Sequence, residues 1–344
     1  MRLAIAPRRL RLRSPLRTAH GMIADRELLD VLVIGADGVA GAGEAAPLPS
    51  YDGVALDDVR AALEDCRPVL RDAEGLPRAQ ILADCRQVAV LPQAIAAIDL
   101  ALWDREGRRL RAPVASLLGA EAGMAIAVNG LVGATDRDGA AAEAAALVAA
   151  GHRVLKLKVG IDADDAGRVA AVRAAVGPGI ALRLDANGAW ETPREAVARL
   201  RALSASGIEL IEEPVHGIEA LRDVQDSLPE LPVALDESAV GPGALEAGAT
   251  RLVCLKLSRC GGITGLIESA ERARAAGSEV YLASTFDGPL GIAGALHAAA
   301  AIAPAAASGL ATLDAFEGLE VDPALAVRDG VMRVPTAPGL GIRA

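Results

Sequence analysis

The chain has 344 residues, of which 52% are hydrophobic and 23% charged, enough apolar material for a large core and a second domain and too much for a disordered chain. Its net charge of −10 argues against a nucleic-acid surface, and no apolar run approaches the ~20 residues of a membrane span. Aromatic residues are only 2%, so the core must rest on Leu, Val, Ile and Ala.

The Arg-rich start (Arg2, Arg8, Arg9, Arg11, Arg13, Arg17) is not followed by the apolar segment of an export signal. Leu-Arg alternation over 10–13 reads instead as an exposed strand, and the chain reads as cytoplasmic. Strand-like pieces at 10–16 and 28–34 precede a hairpin signal at Asp37-Gly38. A helical region follows from 56, with strong helix formers over 94–104 and a stop expected at Gly107. Cys66, Cys85, Cys254 and Cys260 form no CxxC pair and read as reduced, mostly buried thiols. Gly41-x-Gly43-x-x-Ala46 imitates a dinucleotide fingerprint, but no βαβ unit surrounds it.

From Ala125 onward a regular rhythm appears. Strands are expected at 125–129, 153–159, 180–185, 208–212, 232–236, 252–257, 279–284 and 308–313. Alanine-rich helical stretches separate them, for example 136–150, 162–176 and 193–206. Eight such units fit a (β/α)8 TIM barrel, with a doubly wound open sheet as the other reading. The expected organisation is an α+β domain over 1–118, a barrel over 119–316 and a segment over 317–344 that packs back on the first domain.

Charged residues end five of these strands: Lys156-x-Lys158, Asp185-x-Asn187, Glu212-Glu213, Asp236-Glu237 and Lys256. From Lys158 to Lys256 the steps are about 27, 27, 24 and 20 residues, the length of strand–helix units, so the charges converge at one barrel mouth. Residues i and i+2 of a strand share a face, so Lys156 and Lys158 enter the interior together. Two cations in one cleft lower each other's pKa, and a neutral lysine is a competent general base. Asp185, Glu212 and Asp236 are hard oxygen donors that suit Mg2+, with Mn2+ possible, and Asn187, Glu213 and Glu237 support them. A metal among them would stabilise the charge left when a proton is lost beside a carboxylate. A Schiff-base aldolase and a non-catalytic acid-binding barrel are the readings from other classes.

As a set, Gly41-Ala-Gly43-Glu44-Ala-Ala-Pro47, the stretch AAIDLALWD, and KLK, DANGAW, IEEP, LDES and KLSRCGGIT resemble the enolase superfamily, specifically its muconate-lactonizing subgroup, over nearly the whole chain. The resemblance implies a capping domain, completed by the C-terminal tail, over a modified TIM barrel, and Mg2+ at Asp185, Glu212 and Asp236. It implies acid/base lysines at Lys158 and Lys256, with Lys156 binding the carboxylate of a small-molecule substrate. Capping loops near Thr18–Ile23 and Ser50–Gly53 would set specificity. Substrate contacts are expected from His20, Tyr51, Asn129, Ser284, Thr285 and Asp314, whereas His297 reads as structural. The shared chemistry is removal of a proton alpha to a carboxylate, giving a metal-stabilised enediolate. Within it, o-succinylbenzoate synthase is the first expectation, because Thr18-Ala19-His20-Gly21 and 307–312 look like those enzymes and only one acid of an Asp-x-Asp pair stands at Asp314. Dipeptide epimerase or N-succinylamino acid racemase is the alternative, then muconate cycloisomerase. The resemblance further implies a homo-oligomer.

Overall fold

The computed structural model describes residues 1–18, 21–160 and 164–343. The chain begins with an antiparallel sheet of β1 (Arg2–Thr18), β2 (Gly21–Ile34) and β3 (Ala40–Ala45), in that order. The β2–β3 turn closes at Asp37-Gly38, where Gly38 takes φ +75° and the Asp37 carboxylate accepts from Val39 N. This sheet packs on the helix Pro92–Leu110. Gly41 and Gly43 permit the approach, since a Cβ on either would collide with the carbonyl oxygen of Ala101 or Ala97. The fingerprint-like glycines therefore serve sheet–helix packing. The helix runs through Gly107 to Leu110 and ends at Arg111 with φ +53°, three residues beyond the expected stop. An interior glycine costs only about 1 kcal/mol, and the buried faces of this helix outweigh it.

Nine further strands follow among the described residues: β4 (Ala125–Ala127), β5 (Gly130–Val132), β6 (Val154–Lys158), β7 (Ala181–Asp185), β8 (Ile208–Glu212), β9 (Val233–Leu235), β10 (Leu252–Lys256), β11 (Glu279–Ala283) and β12 (Val331–Arg333). Strands β5 to β11 form one parallel sheet in sequence order. Parallel bridges Val128–Ser308 and Ala283–Gly309 curl it shut, which gives the modified TIM barrel. Two expectations need correction here. The expected first barrel strand 125–129 is displaced, because β4 within it pairs antiparallel with β12 of the tail while the strand that enters the barrel, β5, begins only at Gly130. The expected strand 308–313 contributes only the two bridges at 308–309, and a 3-10 turn follows at Leu313–Ala315.

Helices 137–149, 165–176, 193–203, 218–227, 262–275 and 289–302 surround the barrel. The helix start expected at Asp162 lies outside the described residues. Between β9 and β10 only 3-10 turns occur, at Glu237–Val240 and Leu245–Ala247. The tail returns to the first domain through Gly339 N to Ala112 O (3.0 Å) and Leu340 N to Asp104 Oδ1 (2.7 Å). Below the strand ends, Leu210, Ala234, Cys254, Tyr281 and Ala283 fill the barrel interior. Among the described residues, no helix is long and apolar enough to cross a membrane.

Candidate active site

Alternation along the strands decides which side chains meet. Lys156 and Lys158 on β6, Asp185 on β7, Glu212 on β8, Asp236 after β9 and Lys256 on β10 all line one cavity at the strand C-terminal ends. Lys156 Nζ donates to both Glu212 oxygens at 2.8 Å and lies 2.7 Å from Asp185 Oδ2. Lys158 Nζ sits 2.6 Å from Asp185 Oδ2 and 2.7 Å from Asn187 Oδ1. At the other end of the row Lys256 pairs with Asp236 and donates to the Tyr51 hydroxyl at 2.7 Å.

The next layer holds these groups in place. Asn187 and Glu213 take left-handed backbone angles of φ +46° and +39°, unusual for residues with a Cβ. The Asn187 amide donates to Glu237 Oε1 (2.8 Å) while its carbonyl receives Lys158. Glu213 is fully buried away from the cavity and accepts from Asp236 N (2.8 Å), Ser238 N (3.0 Å) and the Ser238 hydroxyl. It thereby fixes the turn that carries Asp236. Sequence reasoning missed Tyr281, whose hydroxyl donates to Glu212 Oε2 at 2.6 Å. Its signal was available, since it lies on the same inward face as Ala283 at the end of β11.

The carboxylates reverse one expectation about the lysines. Burial alone would lower Lys156, but Asp185 and Glu212 outweigh it and hold it above the ordinary lysine value. Burial is likewise outweighed at Lys256, chiefly by Asp236. Mutual repulsion between the lysines is thus the smaller effect. Burial also acts against the charge on Asp185, yet Lys156 and Lys158 pull it below the usual range. Glu212 is pushed up to about 7 by burial, with Asp185 and Asp236 adding to it and Lys156 opposing.

Lysine ammonium groups thus sit against Asp185, Glu212 and Asp236, so each of the three carboxylates faces a cation. Ligand atoms of Glu212, Asp236 and Cys254 lie within 4.8 Å of one another. The Cys254 thiol is pushed far up by burial and then by Glu212, so it stays protonated and is a poor ligand. The three carboxylates, all hard donors, fit Mg2+ or Mn2+ better.

The cap closes the cavity with Leu16, Thr18, Ile23, Leu48, Ser50 and Tyr51. From the barrel come Asn129, Ser284 and Thr285, so three expected substrate contacts reach it. The Ser284 and Thr312 hydroxyls meet at 3.0 Å. Asp314 does not line this cavity: it is exposed on the 3-10 turn after the barrel closure, beside a neighbouring groove with Arg13 and His152. His20 lies outside the described residues. His297 is fully buried between Ala115 N and Leu340 O, far from a substrate role.

Residues 1–119 match the family model of the mandelate racemase / muconate lactonizing enzyme N-terminal domain, and residues 139–344 match the enolase C-terminal domain-like model. The chain belongs to the enolase superfamily. Within it, the chain is of the muconate-lactonizing kind and is an enzyme of the isomerase and lyase type. It is 31% identical to an L-Ala-D/L-Glu epimerase of Bacillus subtilis over 96% of this chain and 93% of that one. Identity is 28% to an N-succinyl-L-Arg/Lys racemase of Bacillus cereus (85% and 81% covered) and 32% to muconate cycloisomerase 1 of Rhodococcus opacus (95% and 91%). The solved Bacillus subtilis epimerase superposes with a TM-score of 0.91 at 29% identity, covering 99% and 98% of the two chains. A dipeptide epimerase of Enterococcus faecalis, solved with Mg and L-Leu-L-Tyr, gives 0.88 at 28% identity, covering 100% and 99%.

Proposed function

We propose that this enolase-superfamily enzyme is a Mg2+-dependent epimerase of N-acylated amino acids, with dipeptides as the first substrate class. The observation that carries the reading is the placement of Lys158 and Lys256 at opposite ends of the carboxylate row, with three strands between theirs. Inversion at an α-carbon needs one base on each face, whereas dehydration needs only one. The relatives named epimerase and racemase favour this alternative over o-succinylbenzoate synthesis.

In this reading Lys158 takes the α-proton from one face and Lys256 delivers a proton to the other, with the roles exchanged for the opposite enantiomer. Lys156 steadies the substrate carboxylate. Asp185, Glu212 and Asp236 would hold Mg2+, which supplies the positive charge that an α-proton beside a carboxylate needs in order to become acidic. Asn187, Glu213 and Glu237 keep those ligands aimed. Tyr51, Asn129, Ser284 and Thr285 contact the rest of the substrate.

The test is a panel in D2O with Mg2+: dipeptides, N-succinylamino acids, muconate and succinyl-cyclohexadiene carboxylate, each followed for α-proton exchange and configuration. Exchange with inversion of dipeptides or N-succinylamino acids is expected. Dehydration of the cyclohexadiene acid without inversion of any amino acid derivative would overturn the reading.

A further inference from the structure

The junction between cap and barrel contains two buried acids that the site described above does not use. Glu44, on β3 of the cap, reaches the first turn of the barrel helix 289–302. Its Oε1 accepts from Gly288 N at 2.7 Å, while its Oε2 is buried with no hydrogen-bond partner among the described residues. Asp287, just before that helix, accepts through Oδ1 from the Thr285 hydroxyl (2.7 Å) and Thr285 N (3.3 Å). Its Oδ2 is likewise buried without a partner. Both carboxyls crowd Gly291, where a Cβ would lie 2.8 Å from Asp287 Cβ and 2.9 Å from Glu44 Oε1.

Arg26 is turned toward main-chain carbonyls, and each of its three nitrogens donates to one or more of them. Nε reaches Thr285 O (2.9 Å) and Phe286 O (3.3 Å), Nη1 reaches Pro47 O (2.7 Å) and Nη2 reaches Ala46 O (3.2 Å). The remaining charges facing the pair are more remote: Arg8 and Asp30, themselves paired at 2.7 Å, on the Glu44 side, and Lys256 on the Asp287 side, with Asp52 facing Arg26. Two ionised carboxylates with one bare oxygen each are costly in a buried junction. One proton shared between them removes both the repulsion and the unmet acceptor. Burial, reinforced by the Asp287 charge, pushes Glu44 up to about 8, in keeping with a protonated acid at neutral pH.

We propose that Glu44 and Asp287 hold one proton between their bare oxygens and act as positioning residues, latching the cap to the turn of Thr285 and Phe286 that walls the substrate cavity. Glu44 carries the proton and Asp287 accepts it, directly or through one buried water. Losing that proton places two like charges where the cap meets the barrel. The wall formed by Ser284, Thr285 and Phe286 then loses its register with Leu48 and Tyr51, which line the same cavity. The consequence for substrate rests on the function proposed above; the shared proton does not.

The experiment is infrared spectroscopy of the full chain, loaded with Mg2+, across a pH series, paired with the pH dependence of KM and kcat. Wild type shows a protonated-carboxyl C=O band at neutral pH that disappears with a midpoint near 8. Glu44→Gln removes that band, and so does Asp287→Asn, whose amide can donate to an ionised Glu44. Wild-type KM rises above the midpoint by about tenfold per pH unit with kcat less affected. In Glu44→Gln, which mimics the protonated acid, neutral-pH KM is kept and the alkaline rise is absent. A neutral-pH band identical in wild type and both variants, or an unchanged alkaline rise in Glu44→Gln, overturns the latch. If no panel substrate turns over, the infrared comparison still decides the shared proton, while the function proposed above fails separately.

Discussion

The Tyr51 hydroxyl, carried by the cap, lies 2.8 Å from Asp236 Oδ1 at the end of a barrel strand and 2.7 Å from Lys256 Nζ. One phenol therefore ties the cap to a carboxylate of the proposed metal site and to one proposed base. Burial, and after it the Asp236 charge, keeps it a neutral phenol. Tyr51→Phe should cost about 0.5–1.5 kcal/mol of stability by urea denaturation. It should also raise KM severalfold, since the ring lines the cavity; unchanged initial-rate kinetics would contradict the substrate contact.

Removing either lysine should separate proton exchange from inversion. Lys158→Ala is expected to lower interconversion by about 10²–10⁴-fold. It should still exchange the α-proton of the enantiomer that faces Lys256, and Lys256→Ala should show the mirror result. Proton magnetic resonance in D2O on each enantiomer separately reads this out. Loss of exchange for both enantiomers in either variant would argue against two bases.

Glu213 never touches the cavity, yet it holds Asp236 N and Ser238 N. Glu213→Gln should weaken Mg2+ binding by about 10–100-fold, the usual cost of freeing a ligand from its support. Titration calorimetry with MgCl2 measures it without substrate, and wild-type affinity in the variant would sink the assigned role.

Acid should loosen the seam at His297. Its ring accepts from Ala115 N at 3.0 Å through Nδ1 and meets Leu340 O at 3.2 Å through Nε2, so the fold holds the neutral form. Burial lowers this histidine from 6.5 to about 4. A depressed folded-state value means stability that is complete above 6.5 and lost as pH falls toward 4, by at most about 1.4 kcal/mol per pH unit. Thermal melts at pH 7 and pH 5 should diverge in wild type and converge in His297→Asn.

The lysine and carboxylate row was legible because strand periodicity and repeat length fix it without knowledge of any partner. The step of 20 residues from Asp236 to Lys256 was counted as one more strand–helix unit, but only 3-10 turns lie between its strands. What escaped depends on approach between distant segments: Tyr281 on Glu212, Arg26 on four carbonyls, Glu44 beside Asp287. The expectation of a depressed pKa failed at Lys156 for the same reason, since it weighed repulsion between cations before the acids across the mouth could be placed. Asp314 followed the motif spacing onto a turn that the barrel closure had already carried outward.

That closure divides the wall into two kinds of structure. From β6 to β10 a continuous parallel ladder forms a stiff arc, and both proposed bases and all three acids stand on it. Opposite lies a seam made by two isolated bridges at Ser308 and Gly309, beside which Ala311 and Thr312 face the cavity. Substitutions at Ala311 or Thr312 can reshape what is recognised without disturbing the arc, so a new substrate range is open to this scaffold with its proton-transfer machinery left intact.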